Sequence, residues 1–306
     1  MSHLILTFED IAGGALNRAG LADRVIPFGW LFVCGPLPSP SELKNKIRID
    51  GLALTEFCVR FDTIELWAGP EPNAQLQLVW LLDHLRSDVN VVSRSLLVQS
   101  DVRIGGESAE WVKQRQRAVP VHSDHLEIAS AAWASWRTPT PVAWFDLLTK
   151  DLNAFPQLRN SVFALLEELP MRATGLGATE MRMLELLAAG HTYPYDLFPG
   201  HGKPNERRTY GYWEVGELLD GLARCPRPAV SELAEGPFDD ALHDSRDRHY
   251  RYRTSRLSLT DLGRAILAGA DDFSRHNPIR RWWGGTELTN DHLWRWDPSE
   301  QRLIAP

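Results

Sequence analysis

The chain has 306 residues, 43% of them hydrophobic, 24% charged and 9% aromatic. That is the composition of a folded globular protein long enough for two cores, and it excludes a disordered or low-complexity chain. A net charge of −7 excludes a global basic field that would draw the whole molecule onto nucleic acid, while leaving a local basic patch open. No apolar run approaches membrane-spanning length, and Met1–Leu4 lacks the basic start and long apolar run of a secretory signal. Cys34, Cys58 and Cys225 are odd in number, widely spaced and without a CxxC pair. The expectation is a cytoplasmic protein with reduced thiols, no disulfide framework, no metal, no cofactor and no membrane partner.

In chain order, His3–Phe8 is a short apolar run that reads as a strand. Ile11, Ala15, Leu16 and Ala19 then recur at helical spacing, with Gly20 as the stop. Arg24–Phe28 is the next strand, leading through Trp30 to the turn Cys34-Gly35-Pro36. Strand–helix–strand at this length opens a parallel α/β sheet. Thr63–Trp67 adds a strand and Leu96–Gln99 another. Between them lies a helix with Leu78, Leu81, Leu82 and Leu85 on one stripe and Gln75, Gln77 and Asp83 on the polar side. From about Ser108 to Leu169 the pattern turns helical, with Ser123 as a cap and Pro141 behind Thr140 as a first-turn proline. Residues 1–170 therefore form an α/β domain with a helical extension.

Residues 171–270 read as a second domain. Thr179–Ala189 and Tyr212–Ala223 are helices separated by a long loop, His191–Arg208, and Pro228–Ala234 suggests a short third helix. A basic strand from Tyr250 to Leu259 and the helix Asp261–Ala268 follow, which is the order of a winged-helix variant. The tail, residues 271–306, holds Trp282, Trp283, Trp294 and Trp296, four of the chain's 12 tryptophans. Each indole offers roughly 150–250 Å² of surface, too much to leave wet, so the tail is expected to dock onto both domains, with Trp282, Trp294 and Trp296 largely buried. The fold class expected is α/β: a partly parallel N-terminal sheet, a winged-helix-like domain and a Trp-rich docking tail.

The whole chain resembles the bacterial family known as domain of unknown function 1835. The likeness rests on the opening strand–helix–strand ending in Gly35-Pro36, on Glu65-Leu66-Trp67 before Gln75-Leu76-Gln77-Leu78, and on Trp133-Ala134-Ser135-Trp136 before Thr140-Pro141. It continues through Gly175-Leu176 and Thr179-Glu180 to Arg281-Trp282-Trp283-Gly284-Gly285. The most specific of these are the Gly-Leu-x-x-Thr-Glu segment and the Arg-Trp-Trp-Gly-Gly motif. The resemblance implies an architecture, not a reaction. Members carry a Gly-Asp pair after the first strand and an Asp before the Gly-Pro turn; here Phe8-Glu9-Asp10 and Gly29-Trp30 stand in those places.

Glu9 and Asp10 are expected at the carboxyl end of a parallel strand, where open α/β sheets bind ligands, although a helix cap explains them as well. Glu65 and Trp67 end another strand on one face and would approach them, or serve as an edge carboxylate and a core indole. With Trp30 and Gly35 near the neighbouring turn, these six are the candidate ligand-binding residues, and no catalytic residue is assigned. Cys34 reads as a small core thiol before a nucleophile, since no basic partner is recognisable. His122 and His125, and His191, Asp196 and His201, are weak metal signals, the helix-start pair being expected to face solvent. The run 246–256 holds five arginines against one aspartate. Arg248, Arg251, Arg253 and Arg256 are the candidate contacts to nucleic acid or a protein partner.

The leading expectation is a non-catalytic binding or regulatory protein that contacts a protein partner or its own copy. An enzyme acting on a small polar or nucleotide-like substrate through Glu9, Asp10 and Glu65 is the alternative. A DNA-binding regulator using the basic segment is the third.

Overall fold

A computed structural model describes residues 1–105, 117–200, 203 and 205–306. The chain is mixed α/β and divides into two compact units. The first takes Met1–Phe163 with Trp282–Thr286, and the second takes Ala164–Arg281 with Glu287–Pro306. The helical pattern expected from about Ser108 begins outside the described residues.

The first unit is built on a five-stranded sheet in the order Arg24–Pro27, His3–Thr7, Thr63–Ala68, Ser95–Gln99, Val119–Pro120. The first four strands are parallel and the last is antiparallel. Ile5 lies opposite Val25 on one side and Glu65 on the other. The helix Asp10–Arg18 makes the crossover, and its Ala12 and Leu16 close a core with Ile5, Val25, Trp67, Val98 and Ile104. Its apolar residues recur every three or four positions, so one face meets the sheet.

The helix Pro72–Leu85 departs from the amphipathic expectation, because Gln75 and Gln77 are fully buried rather than solvated. Buried amides are stable only when bonded, and these tie down strand ends. Gln75 Nε2 donates to the Gly69 carbonyl at 2.7 Å, and Gln77 Nε2 donates to that of Phe8 at 3.0 Å. Gln77 Oε1 accepts from the Trp30 N–H and Asn73 Oδ1 from the Phe32 N–H. The helix Ser123–Trp136 packs beside it, and Trp136 Nε1 donates to the Phe32 carbonyl at 2.7 Å.

Trp282–Thr286 also belongs to this unit. Trp283 is 2% exposed, its ring centroid 4.4 Å from that of Trp136, and Gly285 N–H donates to the Trp136 carbonyl. Gly284 has φ of 54°, and a Cβ there would stand 2.6 Å from the Trp136 ring, so only glycine fits this turn. Trp282, expected to be largely buried, is half-exposed, and Trp283 takes its place. Adjacent strand residues face opposite ways, so only one of the pair points inward.

In the second unit the expected helices appear as Ala178–Ala188 and Tyr212–Ala223. Two segments differ. Val230–Ser231 is a strand, not a helix, and pairs antiparallel with Ser258–Leu259. Arg246–Thr254 is a helix, not a strand. Ser245 caps it by accepting from Arg248 N–H, and a helix carries Tyr252 inward, fully buried, while Tyr250 stays 62% exposed. The rest of the tail lies in this unit. Trp296 is 1% exposed and its backbone bonds Pro170 and Arg172, whereas Trp294 is half-buried.

Candidate functional site

The carboxyl edge of the sheet holds two of the predicted ligand residues together and adds two others. Glu9 occupies the position before the helix Asp10–Arg18, but its carboxylate does not cap the helix. It accepts instead from Arg103 Nε at 3.0 Å and Nη2 at 2.9 Å. Arg103 Nε also stands 3.9 Å from Glu71 Oε1. Glu9, Glu71 and Trp67 line a cavity of about 10 Å³, roughly room for one water. Arg103 thus offsets part of the negative charge at the edge where open α/β sheets receive ligands. Asp10 starts the helix and is exposed.

Glu65 is not part of this group. It lies opposite Ile5, four residues before Glu9, which is roughly 13 Å along a strand. Its Oε2 accepts from Trp67 Nε1 at 2.7 Å, and its Oε1 is 3.5 Å from His3 Nε2 near the strand's start. Trp67 is buried opposite Thr7. Trp30 is half-buried and stacks on Phe32 at 6.2 Å. Gly35 accommodates the tail turn: a Cβ on it would run into the Gly284 carbonyl and stand 2.8 Å from Trp282 Cβ. Arg103 and Glu71 carry no motif. Their only signal in the sequence is position, each lying just beyond an apolar strand.

Among the four candidate arginines, two share one carboxylate. Arg248 Nε and Arg251 Nη2 stand 3.2 and 2.6 Å from the oxygens of Glu235. Bonds from Arg251 and then Arg248 hold the Glu235 carboxyl below its ordinary range. Arg256 lies 3.8 Å over the ring of Tyr193, and Arg253 is exposed.

A third group, which no motif announces, is a ring of four side chains in the second unit. Tyr212 hydroxyl is 2.7 Å from His243 Nε2 and 2.7 Å from Tyr195 hydroxyl, which is 2.7 Å from His249 Nε2. The imidazoles close the circle with centroids 4.8 Å apart. His243 Nδ1 is 2.9 Å from the Asp239 carbonyl, so it carries the proton and leaves Nε2 as an acceptor. Phe198 and Phe238 pack behind Tyr212, at 5.3 and 5.2 Å. Burial pushes the Tyr195 hydroxyl up, reinforced by its bond with Tyr212. Burial, then His243 and Arg253, pushes the His249 imidazole down.

Among the remaining candidates, His125 and Asp196 make local structural contacts. His125 is buried rather than solvated; its Nδ1 accepts from His122 N–H at 3.1 Å and its ring meets Phe155 edge-on. Asp196 accepts from Tyr193 N–H in a local turn, and His201 lies outside the described residues. Cys34 is half-buried, and burial, then Asp88, pushes the Cys58 thiol up to about 12. Among the described residues no group of three or more His, Cys, Asp or Glu is placed to hold a metal, and no helix is long and apolar enough to cross a membrane. An open groove of about 550 Å³ crosses the second unit, lined by Leu187, Thr192, Leu257, Leu259, Arg264 and Leu267. No family model matches the chain, and no curated protein matches it.

Proposed function

We propose that the chain is a cytoplasmic, non-catalytic binding or regulatory protein whose second unit engages a protein partner, with a second copy of itself the first candidate. The observation that carries this is the 550 Å³ groove, apolar along Leu257, Leu259 and Leu267 and bounded by Arg264. Its size falls within the roughly 300–1,000 Å³ of ligand-accepting sites, and its wide mouth suits a side-chain cluster from another surface. The engagement of Glu9 by Arg103, with Glu65 turned toward His3, supports a binding role over acid–base work at the sheet edge. Two helices ahead of a two-stranded ribbon keep a winged-helix-like character for the second unit within the proposal. The likeness to the domain of unknown function 1835 family belongs to it as well.

Sedimentation velocity over a wide concentration range tests it. The expected result is a concentration-dependent dimer that Leu259→Asp combined with Leu267→Asp abolishes without loss of helical signal. A wild-type protein that sediments as a monomer at every concentration would overturn self-association through this groove.

A further inference from the structure

We propose that Tyr195, Tyr212, His243 and His249 form a binding site for one transition-metal ion, ferric or cupric, through two phenolate oxygens and two imidazole nitrogens. The ring geometry carries this. Three successive donor–donor separations are each 2.7 Å, and the four ring centroids make a closed circuit with sides of 5.6, 6.0, 6.0 and 4.8 Å. Three contacts of 2.7 Å and imidazole centroids 4.8 Å apart bring the four side chains close enough to share one ion. Donors that share one ion at roughly 2.0–2.1 Å stand about 2.8–3.3 Å from one another, so the site needs only a slight opening to admit it.

The four side chains come from four separate elements: the turn Pro194–Asp196 and the helices Tyr212–Ala223, Asp240–Asp244 and Arg246–Thr254. Convergence from four elements is expensive in chain entropy, and no local sequence preference produces it. The bond from His243 Nδ1 to the Asp239 carbonyl is the outer contact that metal-bound histidines characteristically make, fixing the ring and aiming Nε2 inward. Phe238 and Phe198 wall the ring on its inner side, and Gly216 leaves room for the Phe238 ring, which a Cβ there would strike. Tyr212 is 42% exposed, which gives an ion a route from solvent.

The donor set selects the metal. Imidazole serves copper and iron alike, and a phenolate oxygen is a hard, anionic donor that favours a highly charged ion over a soft one. On binding, each tyrosine O–H bond is replaced by an O–metal bond, and two protons leave to solvent. His243 Nε2 donates its lone pair as it stands, His249 moves its proton from Nε2 to Nδ1 to free one, and the metal keeps its oxidation state.

The test uses the full chain, freed of metal by a chelator and titrated with ferric nitrilotriacetate in one arm and a cupric salt in the other. With ferric ion, a tyrosinate-to-iron charge-transfer band is expected in the visible, saturating at one ion per chain. With cupric ion, electron paramagnetic resonance is expected to show hyperfine splitting from two nitrogens. Tyr195→Phe and Tyr212→Phe keep the packed rings and should each weaken the ferric band, and the double variant should lose it. His243→Gln and His249→Gln should each weaken uptake by at least about 10-fold. Circular dichroism and melting of each variant separate ligand loss from misfolding. Absence of one-equivalent uptake of either ion by the folded wild-type protein would overturn the proposal and leave a closed hydrogen-bonded ring. Uptake unchanged in a folded Tyr195→Phe/Tyr212→Phe variant would overturn it too, placing the ion elsewhere.

Discussion

Arg281 donates to Glu180 at 2.8 Å across 101 positions of sequence. The two residues come from the Thr179-Glu180 segment and the Arg-Trp-Trp-Gly-Gly stretch. The same carboxylate oxygen accepts from Gly177 N–H at 2.8 Å, so Glu180 caps the helix Ala178–Ala188 while holding the guanidinium. Beside it, Glu168, 3% exposed, accepts from Thr179 N–H and Oγ and from Arg207 Nε at 2.7 Å. Both motifs therefore have a structural explanation.

Removing one partner of such a pair leaves the other charge poorly solvated, which costs about 3–5 kcal/mol. Glu180→Ala is expected to lower the stability of the second unit by that amount in urea unfolding. Glu180→Gln, which retains an acceptor for Gly177 N–H, should lose less. A Glu180→Gln variant as stable as the wild type would show that the charge contributes nothing beyond the cap.

Trp283→Ala removes a buried indole packed on Trp136 and is expected to cost about 3–5 kcal/mol. Trp282→Ala, at a half-exposed position, should cost clearly less. Gly284→Ala meets both the positive φ and the Trp136 ring, and should destabilise by more than about 1 kcal/mol. Far-ultraviolet dichroism in urea measures all three without interference from the remaining tryptophans.

The Asp297 carboxyl is held down to about 2, first by the Ser299 hydroxyl and then by Arg172 and two backbone N–H groups. A folded value below the unfolded one means that the carboxylate contributes stability above about pH 4. That contribution is lost as pH falls from there through about 2. Asp297→Asn should flatten this part of the acid limb. Thermal midpoints between pH 2 and 6 report it, and parallel curves for variant and wild type would contradict the assignment.

Cys58, with its thiol pushed up to about 12 and no exposed surface, should be the last of the three cysteines to react with a disulfide reagent at pH 8. Labelling followed by mass spectrometry should find it modified only after denaturation. Modification at a rate matching Cys34 or Cys225 would show local opening of the helix Leu54–Cys58.

With Arg248 and Arg251 both committed to Glu235, electrophoretic shift assays at low salt are expected to show no complex with duplex or single-stranded probes. Should a complex form, its affinity would fall by about one log unit per log unit of salt for each phosphate neutralised, and Arg253→Ala would reduce that slope.

Much of the first unit was legible in the sequence because its elements are local. The strands His3–Thr7, Arg24–Pro27 and Thr63–Ala68 are apolar runs of the right length, and the intervening helix declares itself by the spacing of its apolar residues. Tyr212–Ala223 was legible for the same reason. The stretch Tyr250-Arg251-Tyr252-Arg253 was not. Over four residues, alternation fits a strand as readily as a helix, and Ser245 as a cap, together with burial of Tyr252 but not Tyr250, decided it.

The sites depended on tertiary structure. Glu9 stands where a parallel sheet places it, yet its partner Arg103 is 94 positions away and Glu65 points to the other end of the strand. Tyr195, Tyr212, His243 and His249 span 54 positions without a shared motif. By itself, the sequence determined where apolar periodicity makes strands and helices, since that depends on neighbours three or four residues apart. Which side chains meet was decided only by the packing of those elements, because a polar tip finds its partner through space and carries no record of it along the chain.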